Sequence, residues 1–561
     1  MNEAYEARRA SERERVLKSV DFAHDLYGEN SIFCIMNGHR TDEAMKQLLF
    51  TANWFEHPHP NGRDLRGEAD FASIRMVHAL FGCYDKLTDE VHAALENFFL
   101  NRDYSSIYGS ENHSLMYRVS RLLAAQFYRG KTFTQYGLSA EEALREDEAY
   151  IDEFLMYRAR RAWGEFDSLG YAAEIVLILN TLYMYTENAR LKKKASMMLD
   201  MILLDMIVDT KDGIYGGAHG RIYEGSALNA CWSNMYSYYC YYFGAEGGYP
   251  ENLRVHTAAL LSDYYPSEIV CRVAKNRKFP YENRERKHLH CCEAWVDGIH
   301  YEYTDAVEGL SIDKYLYLSD DYMLGSVVHQ DAYPATIKSG WYAHHQQHEW
   351  ELTLPGGDGR RKIFSHHPGD PGYHHTHNHW TGDIGCNCGT HFCTKDTAVS
   401  LYNIVKPQEM PYINADIPLD LFDERLLDRN YIFLRAGKIY IMVWFSNDYR
   451  FVTEGPTAGY EAVSDGRKHA FLCHVEPVSA YASLEVFAAA MKEKPIRFDA
   501  DAMEFDFEGI HVDYAGNSVN GTVNRYPFPM LYDSPYLTSE YGSAVLHVTD
   551  GTESAVYDFN F

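Results

Sequence analysis

RRAWGEFDSLGYAAEIVLILNTLYMY, residues 160–185, sets the fold class of the first half of the chain. Its apolar residues recur at the i, i+3, i+4, i+7 spacing of one helix face, and Asp167 or Ser168 stands where an N-cap belongs. The same stripe returns near 41–53, 69–81, 88–99, 111–129, 139–160, 189–209 and 226–244. Residues 1–285 therefore read as long helices joined by short polar loops. Paired helices in such a series stack as antiparallel hairpins and close into an α/α toroid whose loops form a cleft at one end. No fixed-period repeat supports an open solenoid.

Past residue 285 the text changes to short β-rich runs: YIFLRAGKIYIMVWFS (431–446), HAFLCHVE (469–476), SLEVFAAA (483–490) and SAVLHVTD (543–550). Gly, Asn, Asp and Pro separate them at intervals suited to antiparallel sheets. The expected architecture is α+β and multidomain, with a toroid over 1–285 and an antiparallel β-sandwich over 286–561 that has room for a small C-terminal β subdomain.

At about 100–200 residues per domain, a 561-residue chain with 46% hydrophobic residues should hold two or three cores. A net charge of −28 argues against a general nucleic-acid or membrane-surface binder, since phosphate binding needs clustered Lys and Arg. No run approaches the roughly 18 apolar residues of a membrane span, and the charged first residues lack an apolar signal core. The expectation is a soluble cytoplasmic protein. Eleven cysteines, an odd number spread through both halves, fit reduced thiols.

Four segments carry candidate chemistry. In SENHSLMYRVSRLLAAQFY (110–128), Asn112 and His113 sit at a helix start capped by Asn112 or Ser114, with Tyr117 and Arg121 following His113 on one face. In the 160–185 segment, Glu165 and Tyr171 could face the cleft. KDGIYGGAHGRIYEG (211–225) is a Gly-rich loop presenting His219, Arg221, Tyr223 and Glu224, where glycine lets backbone approach a ligand. It lacks the Gly-Lys-Ser/Thr ending and preceding strand of a phosphate loop, so no nucleotide cofactor is expected.

The fourth segment is histidine-rich: His344 to Trp380 holds nine of the 27 histidines. If extended, it projects His375, His377 and His379 from one strand face, and Asp383 could add a carboxylate. Such a set suits a metal, zinc first. The alternative is one catalytic histidine with the others hydrogen-bonded among themselves.

The ENHSL and YRVSRLLAAQFY pattern, then WGEFDSLGY, GGAHGRIY, DYMLGSV and QQHEWELTL, resembles the heparinase II/III-like and alginate-lyase-like polysaccharide lyases over most of the chain. That resemblance implies β-elimination of uronic-acid glycosides. Asn112 and His113 then match the family's Asn-His pair, and a β-domain histidine such as His345 completes the cleft beside Gln347, His348 and Trp380. The residue types suit the reaction on physical grounds too. A proton α to a carboxylate leaves only if positioned donors neutralise the developing enolate, and Asn112, His113 and Arg221 are such donors. Tyr223 beside Arg221 is the first choice of base and Tyr171 the second.

Two other classes compete. An inverting glycoside hydrolase would use paired carboxylates from Glu165, Asp167 and Glu224. A non-catalytic carbohydrate-binding protein would use some of the 45 tyrosines as stacking faces. A chain without an export signal is expected to act on imported oligosaccharides in an exo fashion, alone or as a homo-oligomer.

Overall fold

The computed structural model describes residues 3–54, 68–105, 110–245, 255–288, 293–296, 299–302, 311–329, 348–356, 358–369, 379–381, 388–514 and 530–561. Thirteen described helices precede the large sheets. They are α1 (Glu3–Ser19), α2 (Glu29–Asn37), α3 (Thr41–Trp54), α4 (Ala69–Gly82), α5 (Asp89–Asn101), α6 (Glu111–Phe127) and α7 (Ala140–Arg161), then α8 (Tyr171–Tyr185), α9 (Ala189–Val208), α10 (Glu224–Leu228), α11 (Asn234–Phe243), α12 (Thr257–Leu261) and α13 (Glu268–Asn276). Helices α2, α4, α6, α8 and α12 each touch the next, and α12 returns to α2, which closes an inner ring. Helices α3, α5, α7, α9 and α13 lie outside it. The inner position explains the composition of α8: an unbroken run from Ile175 to Leu182 is buried because neighbours cover the helix on every side.

Antiparallel sheets make the rest. Twelve strands run in the order Tyr449–Phe451, Glu461–Asp465, Tyr412–Asp416, Lys362–His366, Trp350–Thr353, Met323–His329, Ser311–Leu318, Tyr281–His288, Met530–Asp533, Leu537–Glu540, Val545–Thr549 and Ser554–Asp558. A six-stranded sheet runs Gly389–Cys393, Thr397–Asn403, Lys468–Pro477, Ile439–Phe445, Tyr431–Ala436 and Glu424–Leu427. The two sheets share a core in which Trp350 meets Phe471 with ring centroids 5.4 Å apart. The C-terminal strands return beside Tyr281–His288 in the large sheet. Cys34, Cys83, Cys231, Cys240, Cys271, Cys393 and Cys473 are free thiols.

Two segments differ from the sequence reading. SLEVFAAA is not a strand: α14 (Leu484–Glu493) starts there, capped by the Ser483 hydroxyl accepting from Val486 N. Leu484, Phe487, Ala488 and Met491 face the six-stranded sheet at helical spacing, and that period outweighs the β-prone residues. The stripe at 226–244 is two helices rather than one. Asn229 Oδ1 accepts from Cys231 N at 3.0 Å and Ser233 Oγ from Tyr236 N at 3.0 Å, so side chains end one helix and cap the next.

Candidate active site

The inner helices all begin at the same end of the ring. Glu29 Oε1 at the start of α2 accepts from Thr257 N at the start of α12 at 2.6 Å. Arg75 in α4 reaches Glu29 at 2.9 Å and Glu174 in the first turn of α8 at 3.0 Å. His113 Nδ1 in α6 lies 2.5 Å from Asp70 Oδ2 in α4. Helix N-termini carry partial positive charge, and buried carboxylates here complement it. Asp70 is wholly buried and so holds one edge of the His113 imidazole in a fixed orientation.

The segment Gly164–Ser168 divides the chemistry. Glu111 accepts from the backbone N–H groups of Gly164 at 3.0 Å and Glu165 at 2.8 Å, and pairs with the buried Arg158 at 3.0 Å. That clamp fixes Glu165, whose Oε2 accepts from Asn112 Nδ2 at 2.9 Å and whose Oε1 lies 3.4 Å from Arg221 Nε. Burial pushes the Glu165 carboxyl up to about 7, with Arg221 only partly offsetting it and Glu111 adding to it. Asp167, with φ +49°, turns the chain the other way. Its carboxylate sits between the ammonium groups of Lys287 and Lys314, which hold it well below the usual range despite burial.

Lys287 and Lys314 come from adjacent strands of the large sheet and also reach Asp205, Asp209 and Glu285. Four carboxylates thus face two ammonium groups. Burial pushes Asp205 well up and Asp209 up to about 7, which relieves the excess negative charge. Among the described residues, Asp167, Asp205 and Glu285 have the geometry of a three-carboxylate cation site. Lys287 Nζ already occupies that position, 2.9 Å from both Asp205 and Glu285. The cluster is a buried ionic joint between ring and sheet.

The Gly-rich loop lies against this joint. A Cβ at Gly216 would come within 2.6 Å of the Met323 side chain, one at Gly217 within 3.1 Å of Leu316, and one at Gly220 within 2.7 Å of Phe166. These glycines admit the large sheet and the 164–168 segment rather than a ligand, which corrects the expectation. The loop is pinned by Ser168 Oγ donating to Arg221 O at 2.9 Å, while Tyr171 N donates to Ser168 Oγ at 3.0 Å and starts α8. Tyr171 and Tyr223 are thereby brought together: their hydroxyls are 2.6 Å apart, and Arg221 Nη2 donates to the Tyr171 oxygen at 3.1 Å. Burial raises the Tyr171 phenol well above its ordinary range. Tyr223 is 36% exposed and sits at the mouth of a 550 Å³ pocket with Gly225, Ser226 and Trp232.

Asn112, His113, Glu165, Tyr171, Arg221 and Tyr223 thus form one cluster, with Glu224 half-buried at its rim. Other expected ligand-facing residues are placed elsewhere. Ser110, not Asn112 or Ser114, occupies the N-cap of α6, and it donates to Asn112 Oδ1 at 2.8 Å. Tyr117 accepts from Arg121 at 2.7 Å, and Arg121 pairs with Asp147 of α7, so that face of α6 serves helix packing. His219 is wholly buried: Nδ1 donates to Asp167 O at 2.9 Å, and its backbone exchanges two 2.8 Å bonds with His348. Burial holds the His219 imidazole down to about 3, so it stays neutral. His348 pairs with buried Glu351 at 2.8 Å, and Trp380 is core, edge-on to Phe364. The His219–His348 pair joins the ring to the sandwich, whereas Trp380 packs within the β half against Phe364 and Tyr460. His379 Nε2 lies 2.7 Å from Glu461. His345, Gln347, His375, His377 and Asp383 lie outside the described residues.

Sequence reasoning missed Asp70, Glu111, Lys287 and Lys314. A faint signal existed for the lysines: Asn283, Glu285 and Lys287 alternate on the inward face of Tyr281–His288, where apolar residues would be usual.

No family model matches the chain, and no curated protein matches it. A solved structure of heparinase III is similar with a TM-score of 0.37 and 11% sequence identity, over 86% of this chain and 81% of that one. At that level the functional reading rests on the site itself.

Proposed function

We propose that this protein is a carbohydrate-active enzyme that cleaves uronic-acid glycosides by β-elimination, acting on oligosaccharides from one end. The observation that carries the reading is the Arg221–Tyr171–Tyr223 relay. Arg221 donates to the Tyr171 oxygen, and the buried Tyr171 phenol keeps its proton and can donate it to the Tyr223 oxygen. Acting as the phenolate, Tyr223, the exposed member, takes the proton α to the substrate carboxylate and becomes the neutral phenol, with Tyr171 donating to its oxygen before the transfer. His113, oriented by Asp70, and the Arg221 guanidinium are the donors that stabilise the developing enolate. The proton held on Tyr223 then goes to the departing glycosidic oxygen.

Zinc remains part of this proposal. His379 Nε2 is taken by Glu461, which leaves Nδ1 for a metal and makes Glu461 the outer carboxylate that metal-binding histidines commonly have. When bound, the ion would supply charge neutralisation near the cleft.

Hydrolysis is the second reading, favoured by Glu165 at about 7, a value suited to a general acid. It lacks a partner in Asp167, which is clamped by two lysines. The test is an ultraviolet scan of the protein with a panel of uronate oligosaccharides, with and without chelator. Absorbance from an unsaturated uronate supports elimination, and its loss with chelator supports zinc. New reducing ends without that absorbance overturn the lyase reading in favour of Glu165-based hydrolysis.

A further inference from the structure

Beyond Tyr223 the surface continues as a groove. The pocket at Tyr223 shares Trp232 as a wall with a second pocket of about 770 Å³, lined also by Asn229, Arg360, Asp420, Arg425 and Tyr460. Both volumes fall in the roughly 300–1,000 Å³ range of small-molecule sites. Trp232 is 67% exposed, an unusual position for the largest apolar side chain. Its backbone is anchored, and the indole stands over Gly225. A Cβ on Gly225 would lie 3.8 Å from the indole, and Ser226 Oγ donates to Trp232 O at 3.1 Å.

The turn that carries Trp232 is built against the sandwich. Ala230 N donates to Gly359 O at 3.1 Å. A Cβ on Gly359 would fall 2.4 Å from Asn229 Oδ1 and 2.7 Å from Cys231 N, so only glycine permits the contact. In the same pocket Arg425 makes one described hydrogen bond, from Nη1 to Leu419 O at 3.2 Å, and forms no ion pair among the described residues. An exposed indole and a guanidinium with unused donors in one pocket suit a pyranose ring carrying a carboxylate.

We infer that the groove from Tyr223 past Trp232 to Tyr460 is a second sugar-binding site, in which Trp232 stacks on, and Arg425 pairs with, a uronate residue of the oligosaccharide beyond the bond being cleaved. This rests on the carbohydrate reading of the catalytic cluster but not on the type of bond cleavage.

The test uses the full chain and its Trp232→Ala, Trp232→Phe and Arg425→Ala variants. Substrates are oligouronates and uronate–hexosamine oligosaccharides from disaccharide to hexasaccharide, monitored both by unsaturated-uronate absorbance and by reducing ends. In Trp232→Ala the loss of kcat/KM should be about tenfold greater for the tetrasaccharide than for the disaccharide, and carried by KM. Trp232→Phe should recover most of it, and Arg425→Ala should repeat the dependence on length. Equal losses at every length, or none, overturn the site. If neither readout detects turnover, the catalytic proposal falls and calorimetric titration with the hexasaccharides judges the groove. Binding that Trp232→Ala abolishes then sustains it, and no binding, or binding that Trp232→Ala leaves intact, overturns it.

Discussion

Glu165 and Asp167 stand two residues apart in one short segment, yet their carboxyls are pushed in opposite directions, one up to about 7 and the other far down. Both are buried, so desolvation raises both. The difference is the number and distance of cations: one guanidinium 3.4 Å away for Glu165, two ammonium groups in direct contact for Asp167. One partner leaves a group able to exchange a proton, whereas two make a permanent charge that fastens elements together. The same segment therefore carries a carboxyl that can keep its proton on one side and a fixed charge on the other.

The comparison breaks most severely at the joint. Lys314→Met leaves Asp167 and Asp209 short of their ammonium partner and should cost about 3–5 kcal/mol, read from urea unfolding. Pairing it with Asp167→Asn should recover part of that loss, and a cost under about 1 kcal/mol would show the joint carries little. On the other side, Tyr223→Phe should lower turnover by about 10²–10⁴-fold. Its stability should change by no more than about 0.5 kcal/mol, because the phenol is partly exposed; a large stability loss would move Tyr223 into the architectural group.

A subtler prediction concerns pH. The folded state keeps Glu165 protonated up to about 7, whereas the unfolded chain ionises it near its ordinary value of about 4.3. The unfolded state therefore holds fewer protons between those values, and this group's contribution to stability falls as pH rises from about 4 to about 7. Glu165→Gln removes that slope, so the melting temperature of the variant relative to the native chain should rise across the window. A flat or falling difference would show that Arg221 outweighs burial. The smallest effect is expected from Ser168→Ala, which loses the bonds to Arg221 O and from Tyr171 N and should cost about 1 kcal/mol by thermal melting; Gly170, not Asp167 or Ser168, holds the N-cap of α8.

The helical ring was legible because α8 and its neighbours announce themselves through a periodic stripe that depends only on burying one face. Reading 226–244 as a single helix failed where side-chain caps at Asn229 and Ser233 override that stripe. At the site, Tyr171, Arg221 and Tyr223 could be nominated from residue type and from loop and cap signals. Trp380, His219 and His348 looked the same on those grounds but are buried struts. The Gly-rich loop was seen, and its reason was not, since the Cβ clashes come from Met323, Leu316 and Phe166 in other elements.

The sequence by itself determined the features that rest on local periodicity and residue chemistry: a helical first half, a β-rich second half, and a short set of acid/base residues at helix starts. The tertiary structure alone decided which carboxyl keeps a proton and which is held ionised. That depends on how many cations arrive from other elements, and Lys287 and Lys314 reach Asp167 only because a strand pair packs against the ring. Charge environment is a long-range property of packing, and no window of sequence contains it.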